Sequence, residues 1–195
     1  MAGMGRWQPD ARGRLEQAAL ALYDERGYDA TTVADIAERA GLTKRTYFRY
    51  FADKREVLFG GSAQLEELLV HGVEEAPPAA SPLDAVVAAL EATGPLFAER
   101  REHAIRRQAI VDAHSELQER ELIKLASLAR AIAGALRRRG VPDPTATIAA
   151  ETGITVFKVA FERWVAPGGD PDLAAVIRTS LDGLRAVTAG APPPA

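Results

Sequence analysis

The sequence contains no cysteine among its 195 residues, which excludes disulfide bonds, thiolate metal sites and cysteine nucleophiles. Aromatic residues make up only 6% of the chain, whereas alanine is abundant. Because sheets favour aromatic and β-branched side chains and alanine is the strongest helix former, this composition predicts packed helices. No apolar run approaches the length of a membrane span and no signal-like apolar stretch opens the chain, so we expect a cytoplasmic protein that does not bind membranes.

The chain also lacks a strong excess of charge of either sign, since its formal net charge is −3. The hydrophobic fraction of 47% and the charged fraction of 26% are typical of a globular protein with a sizeable buried core. A slightly acidic protein repels nucleic acid as a whole. Any contact with DNA must therefore come from a local basic patch.

Helix start and stop signals are frequent, and those near the beginning of the chain are closely spaced. Thr32 and Asp35 form a capping box, and Gly41 permits the positive φ of a tight turn. The segment Asp53-Lys54-Arg55-Glu56 is a further cap, which predicts a long helix from this point to about His71. The first part of the chain is thus predicted to hold three short helices.

The later signals predict about six longer helices, which makes the fold all-α. Ser81-Pro82 starts one helix, and Gly94-Pro95 interrupts it. Ser115 with Gln118 caps another. Asp143-Pro144 and Asp170-Pro171 start the last two.

The segment between Thr32 and Lys54 has the pattern of a helix-turn-helix. In its second helix, Tyr47, Phe48 and Phe51 are expected to pack inward. The outward face is expected to carry Lys44, Arg45, Arg49 and Tyr50. An α-helix fits the major groove of DNA, where arginine can bind two guanine acceptors at once. A solvated basic face, a plain cap at Thr32 and core packing of Tyr50 are the alternatives from the residues alone.

Three spaced segments carry a family resemblance, namely 30–37, 40–43 and 46–58. Together they resemble the DNA-binding domain of the TetR family of one-component regulators, over about residues 12–60. The stretch 44–51 is most similar to the branch that includes regulators of mycofactocin clusters, some of which respond to acyl-CoA. Phe48 departs from the tyrosine that is frequent in the family. Whether Tyr47 supplies the missing hydroxyl contact to phosphate is left open.

The resemblance implies a helix-turn-helix DNA-binding domain at residues 10–56 and a six-helix effector-binding and dimerisation domain at 57–189. The Ala/Pro-rich composition of residues 190–195 predicts a disordered tail. The resemblance also implies that phosphates are contacted by Thr32, Tyr50 and Lys54, and that the groove is lined by Lys44, Arg45 and Thr46. The full set of predicted DNA-binding residues is Thr32, Thr43, Lys44, Arg45, Thr46, Arg49, Tyr50 and Lys54.

The C-terminal helices hold no comparably specific motif. The resemblance implies that the last two helices pair with those of a second copy. The predicted interface residues are Phe161, Trp164, Val176, Ile177, Ser180, Leu181 and Leu184. A small-molecule pocket is expected among the middle helices, and its candidate residues are His71, Phe97, His103, Arg107, Ile110 and Phe157. The three histidines have no metal-ligand spacing, so neither a metal site nor a cofactor is expected.

These observations predict a homodimeric transcriptional regulator that represses a palindromic operator in double-stranded DNA until a small molecule releases it. The alternatives are an all-helical enzyme and a protein-binding adaptor, each carrying a helix-turn-helix. The enzyme is disfavoured because the sequence has no phosphate-binding loop, no Gly-x-Ser-x-Gly elbow and no Glu-x-x-His pair.

Overall fold

The computed structural model describes residues 11–169 and 171–190, and its regular structure within these ranges is entirely helical, as the composition predicts. A short 3-10 helix (Arg55–Phe59) accompanies ten α-helices: α1 (Ala11–Arg26), α2 (Val33–Arg39), α3 (Lys44–Tyr50), α4 (Ser62–Glu74), α5 (Pro82–Ala92), α6 (Gly94–Ala98), α7 (Arg101–Asp112), α8 (Ser115–Arg138), α9 (Thr145–Val165) and α10 (Leu173–Thr188). Residue 10 and the predicted tail beyond Gly190 lie outside the described residues. Over the described ranges, no helix is both long and apolar enough to cross a membrane.

The helix-turn-helix forms as its local signals predict. The Thr32 hydroxyl accepts a hydrogen bond from the Asp35 backbone N–H at 3.2 Å, and the Thr32 N–H donates to the Asp35 carboxylate at 2.9 Å. Gly41 adopts a φ of 66°, and the Leu42 N–H donates to the Ala37 carbonyl at 2.8 Å. The capping box and the glycine turn are therefore confirmed: the first marks the start of α2, and the second connects α2 to α3.

The prediction of one long helix from Asp53 to about His71 is wrong. Asp53 does accept hydrogen bonds from the next backbone N–H groups, at 2.8 Å from Arg55 and 3.2 Å from Glu56, but only the 3-10 helix follows. Glycine is a poor helix former, and Gly60 and Gly61 separate this turn from α4. The interruption brings the backbone of residues 60–61 to the edge of a cavity described below.

Other helix boundaries agree with the sequence or differ by a few residues. The break at Gly94-Pro95 is confirmed, because α5 ends at Ala92 and α6 begins at Gly94. Asp172 caps α10 by accepting from two backbone N–H groups, whereas Asp170 is not among the described residues. Ser115 is the first residue of α8 and does not cap it. The Gln118 side chain instead donates to a backbone carbonyl of the preceding turn.

Two apolar cores stabilise the molecule. The larger core joins α4 and α5 with α8, α9 and α10. The smaller core holds α1, α2, α3 and the 3-10 helix, and it also includes Ile110, Val111 and Leu117 from α7 and α8. The helix-turn-helix half is thus packed onto the ends of α7 and α8. The domain division at residues 56 and 57 stays a prediction.

Candidate nucleic-acid interface and cavity

Helix α3 has a buried face and an exposed face. Tyr47 is 0% exposed and its hydroxyl donates to the Asp53 carbonyl at 3.0 Å, while Phe51 packs beside it. Burial raises the pKa of Tyr47 well above its usual value. Phe48, in contrast, is 55% exposed, so the prediction that it packs inward is wrong. Tyr47 and Phe51 lie four residues apart on one helix face, and Phe48 falls outside that face.

The burial of Tyr47 also answers the question that the sequence left open. Its hydroxyl is engaged within the domain, so it does not supply a contact to phosphate in place of the tyrosine missing at position 48. The outward-facing prediction for Lys44, Arg45, Arg49 and Tyr50 agrees with their exposure. Core packing of Tyr50 is not observed.

The first turn of α3 presents two cations without an ion-pair partner among the described residues, Lys44 and Arg45. The turn itself is capped, because the Thr43 hydroxyl accepts from the Thr46 N–H at 3.2 Å and lies 3.0 Å from the Thr46 hydroxyl. A capped helix N-terminus with free positive charge is suited to phosphates and to guanine acceptors. These four residues form the centre of the candidate interface.

The remaining predicted DNA-binding residues are held by neighbours. The Arg49 guanidinium donates to the Tyr50 hydroxyl at 3.1 Å and lies 4.9 Å from the centre of its ring. The Lys54 ammonium donates to the Tyr28 carbonyl at 2.8 Å and lies 3.9 Å from the Tyr28 ring centre. Thr32 remains exposed at the start of α2. Sequence spacing did not indicate the part that Tyr28 plays, since it lies 26 residues before Lys54.

A cavity of about 450 Å³ lies between the helix-turn-helix half and the C-terminal helices. Its apolar part is formed by Leu65, Leu96, Phe97, Leu125, Leu128, Phe157 and Phe161. Its polar part includes the cations Arg100, Arg107, Lys124 and Lys158, the imidazole of His103, and five carboxylates, Glu16, Glu66, Glu67, Glu121 and Glu162. The volume and the mixed lining are typical of small-molecule sites, which are largely apolar with a few polar groups that orient the ligand.

Four of the six predicted pocket residues line this cavity, namely Phe97, His103, Arg107 and Phe157. Ile110 packs in the smaller core, and His71 is exposed near the end of α4, so neither belongs to the cavity wall. Ile110 does not reach the cavity, because it lies on the face of α7 that packs on the helix-turn-helix half. The sequence analysis missed Arg100 and Glu16, which come together across 84 positions of the chain and share no local pattern.

Arg107 and His103 illustrate the electrostatics of the cavity wall. Arg107 forms an ion pair with Glu121, donates to the Leu58 carbonyl at 3.2 Å, and lies over the Phe59 ring. Burial lowers the pKa of His103 to about 4, helped by the positive charges of Arg100, Arg107 and Arg106. His103 is therefore a neutral imidazole in the cavity wall near neutral pH.

This pKa predicts a pH-dependent stability. Between about pH 4 and 6.5 the unfolded chain carries a proton on His103 that the folded protein does not. The unfolded state then binds more protons, so we expect the free energy of unfolding to fall as the pH is lowered through this window. Urea titrations at several pH values should show this slope and a shallower one for His103→Gln. The exposed His71→Gln variant is the control, and an unchanged slope in His103→Gln would contradict the assignment.

The seven predicted interface residues separate into two groups. Trp164, Ile177 and Leu181 are buried within the chain, so their side chains have no surface left for a second copy. Phe161, Val176, Ser180 and Leu184 are half-buried. Helices α9 and α10 also expose apolar side chains that the sequence analysis did not select, and these are Ile148, Val159 and Val187.

Two family models match the chain, one in each half. Residues 16–59 match the model described as bacterial regulatory proteins, tetR family, and residues 80–189 match the model described as MftR C-terminal domain. The chain belongs to the TetR family. The resemblance inferred from the sequence is thereby confirmed in both halves. Members of this family are transcriptional regulators, which decides against the enzyme interpretation.

Individual relatives and solved structures agree with this membership. The chain is 37% identical over 81 residues to the regulator TcmR of Streptomyces glaucescens, and 45% identical over 47 residues to the repressor KstR2 of Mycobacterium tuberculosis. These matches span 42% and 24% of this chain, but only 36% of TcmR and 24% of KstR2. FadR of Bacillus subtilis, solved in complex with stearoyl-CoA, is similar in fold with a TM-score of 0.61 and 21% identity, over 88% of this chain and 96% of FadR.

Proposed function

We propose that this TetR-family regulator is a repressor that binds a palindromic operator as a homodimer in the cytoplasm, and that a small molecule in the cavity releases it. The observation that carries the proposal is the capped first turn of α3, where Lys44 and Arg45 have no ion-pair partner within residues 11–169 and 171–190. In the same chain, the cavity lies against the half that presents this turn.

In this proposal, the residues of the helix-turn-helix have two roles in DNA binding: some contact base edges and others contact phosphates. Lys44, Arg45 and Thr46 stand at the end of the helix that enters the groove first, where side chains reach base edges. Thr43 caps that end, Arg49 and Tyr50 lie in the last turn of α3, and Thr32 and Lys54 lie before and after the two helices. We assign these five residues to phosphates, which fix the register of the protein on the duplex. A palindromic site requires the same helix twice, one DNA turn apart, and therefore a two-fold dimer.

The proposed dimer uses the exposed faces of α9 and α10. Their half-buried and exposed apolar side chains include Ile148, Val159, Phe161, Val176, Leu184 and Val187. Apolar surface on two neighbouring helices is typical of a homodimer interface. Phe161, Val176 and Leu184 pack against the larger core, whereas α3 belongs to the smaller core.

The proposed effector is an amphipathic anion, that is, an apolar chain with an anionic group. Phe97, Phe157 and Phe161 form the apolar part of the cavity, with ring centres 5.7–5.9 Å apart. The cations that can receive an anionic group are Arg100, Arg107, Lys124 and Lys158. Fatty acids and acyl-CoA share this chemistry, and the similarly folded FadR is known in complex with stearoyl-CoA.

A gel-shift assay with the DNA upstream of the protein's own gene tests this function. We expect a specific complex that weakens by about 10³–10⁵-fold between about 50 and 200 mM salt, because a dimer with six to ten phosphate contacts releases as many counterions. Dodecanoyl-CoA or dodecanoate should dissociate this complex, whereas dodecanol and free CoA should not. No specific complex with this DNA or with any other operator selected from genomic fragments would contradict the proposal and favour the adaptor.

A further inference from the structure

The position of Glu16 suggests how an effector could release DNA, and this inference rests on the effector site proposed above. Glu16 lies on α1, in the DNA-binding half, yet its carboxylate forms part of the cavity wall. The side chain is only 8% exposed. One carboxylate oxygen accepts a hydrogen bond from the Arg100 guanidinium at 2.8 Å, and the other lies 3.4 Å from Nε of Arg12.

Glu16 has little room to move within this position. Its carboxylate packs so closely on the backbone of Gly60 that a methyl group there would overlap it, and the Phe51 ring adjoins the same point. A buried carboxylate depends on its cationic partners, because removal of one partner leaves a desolvated charge without compensation. The position of α1 is thus tied to the presence of Arg100 beside Glu16.

Arg100 differs from the other cations of the cavity in the location of its partner. Arg107 pairs with Glu121 and Lys158 approaches Glu162, both within the C-terminal half. Lys124 pairs with Glu56, which also binds Arg120 and does not line the cavity. Among the described residues, Arg100 with Glu16 is the ion pair that joins the two halves with both members in the cavity wall.

Arg100 is also accessible to a ligand. Its side chain is 44% exposed and lies in the junction between α6 and α7. A guanidinium has five N–H donors in a planar fork, and Glu16 takes a single hydrogen bond from it. A carboxylate or phosphate that enters the cavity can therefore bind Arg100 with two hydrogen bonds, one more than Glu16 receives from it.

We propose that the anionic group of the effector competes with Glu16 for Arg100, and that this exchange couples the cavity to the DNA-binding half. When Arg100 turns to the ligand, Glu16 keeps only Arg12 as a partner. The Glu16 carboxylate is then stabilised by moving toward water, where it is solvated, and α1 moves with it. Because α1 packs directly on α2 in the smaller core, the orientation of α3 changes with it.

The test measures ligand binding directly, by calorimetry, without DNA. The probes are dodecanoate, dodecanoyl-CoA and the uncharged dodecanol, and the variants are Glu16→Gln and Arg100→Gln. Glu16→Gln removes the competing charge at constant size, so at least one anionic probe should bind about fivefold more tightly or better, and dodecanol should bind as before. Arg100→Gln should abolish the preference for the anionic probes. Tighter binding of dodecanoate points to a carboxylate at Arg100, and tighter binding of dodecanoyl-CoA alone points to the CoA phosphates.

Arg106→Gln is the matched control. Arg106 and Asp24 also join α7 to α1 through an ion pair of similar arginine exposure, but neither residue lines this cavity. This variant should bind all three probes as the wild type does. If neither anionic probe binds Glu16→Gln more tightly than wild type, or if Arg106→Gln shows the same changes, the exchange is refuted. A protein that releases DNA with dodecanoyl-CoA while Glu16→Gln binds every probe normally would keep the proposed function and lose this mechanism.

Discussion

Replacement of Trp164 by alanine is expected to lower the free energy of unfolding by about 3–5 kcal/mol, the usual cost of removing a large aromatic side chain from a core. Trp164 is 1% exposed at the end of α9. Its ring lies 5.6 Å from that of Phe161 and 5.9 Å from that of Phe97, and Arg101 donates to its carbonyl at 2.9 Å. Urea unfolding followed by circular dichroism measures the loss.

Phe161→Ala is the control, because Phe161 is half-buried next to Trp164 and should cost clearly less. Unfolding at several protein concentrations also distinguishes a side chain in the protomer core from one in a dimer interface. A side chain that stabilises the protomer lowers stability equally at all protein concentrations, whereas an interface residue makes the loss depend on concentration. A loss of less than about 1 kcal/mol, or a loss that vanishes at high protein concentration, would contradict the placement of Trp164 in the protomer core.

Arg45→Ala is expected to weaken binding to the operator by about 1–3 kcal/mol and to relax discrimination at one base-pair position. Arg45 is exposed in the first turn of α3 and makes no ion pair among the described residues, so its guanidinium is available to a guanine edge. Fluorescence anisotropy with the operator and with single-base variants of it measures both effects.

Arg39→Ala controls for the loss of one positive charge in the same half. Arg39 ends α2 and is held in an ion pair with Glu25, so its removal should change operator affinity little and leave the sequence preference intact. If Arg45→Ala and Arg39→Ala weaken binding to all sequences by the same factor, Arg45 contributes only charge, and another residue of α3 makes the base contact.

Local signals explain what could be predicted from the sequence. The capping box at Thr32 and Asp35 and the turn at Gly41 depend on residues within five positions of one another, and both formed as predicted. The error at Phe48 has a geometric cause. Tyr47 and Phe48 are neighbours on α3, and successive residues of a helix point about 100° apart, so a single core beneath the helix takes one of them.

Long-range contacts explain what could not be predicted. The carboxylate of Glu16 and the guanidinium of Arg100 meet across 84 positions, and no periodicity in either helix indicates that they do. The Asp53 cap predicts where a helical turn begins but not how far it continues, and Gly60 and Gly61 end it after the 3-10 helix. The expectation of a pocket among the middle helices included Phe97 and Phe157, and their ring centres lie 5.9 Å apart in the cavity wall.

The smaller core has a practical consequence for engineering chimeric regulators. Ile110, Val111 and Leu117 belong to it, and the Tyr28 ring lies 4.9 Å from that of His114 between α7 and α8. A graft that ends at Phe59 would transplant the operator specificity without the α7–α8 corner that covers its underside. A working hybrid with another effector module must therefore bring this corner along or rebuild its apolar surface in the recipient.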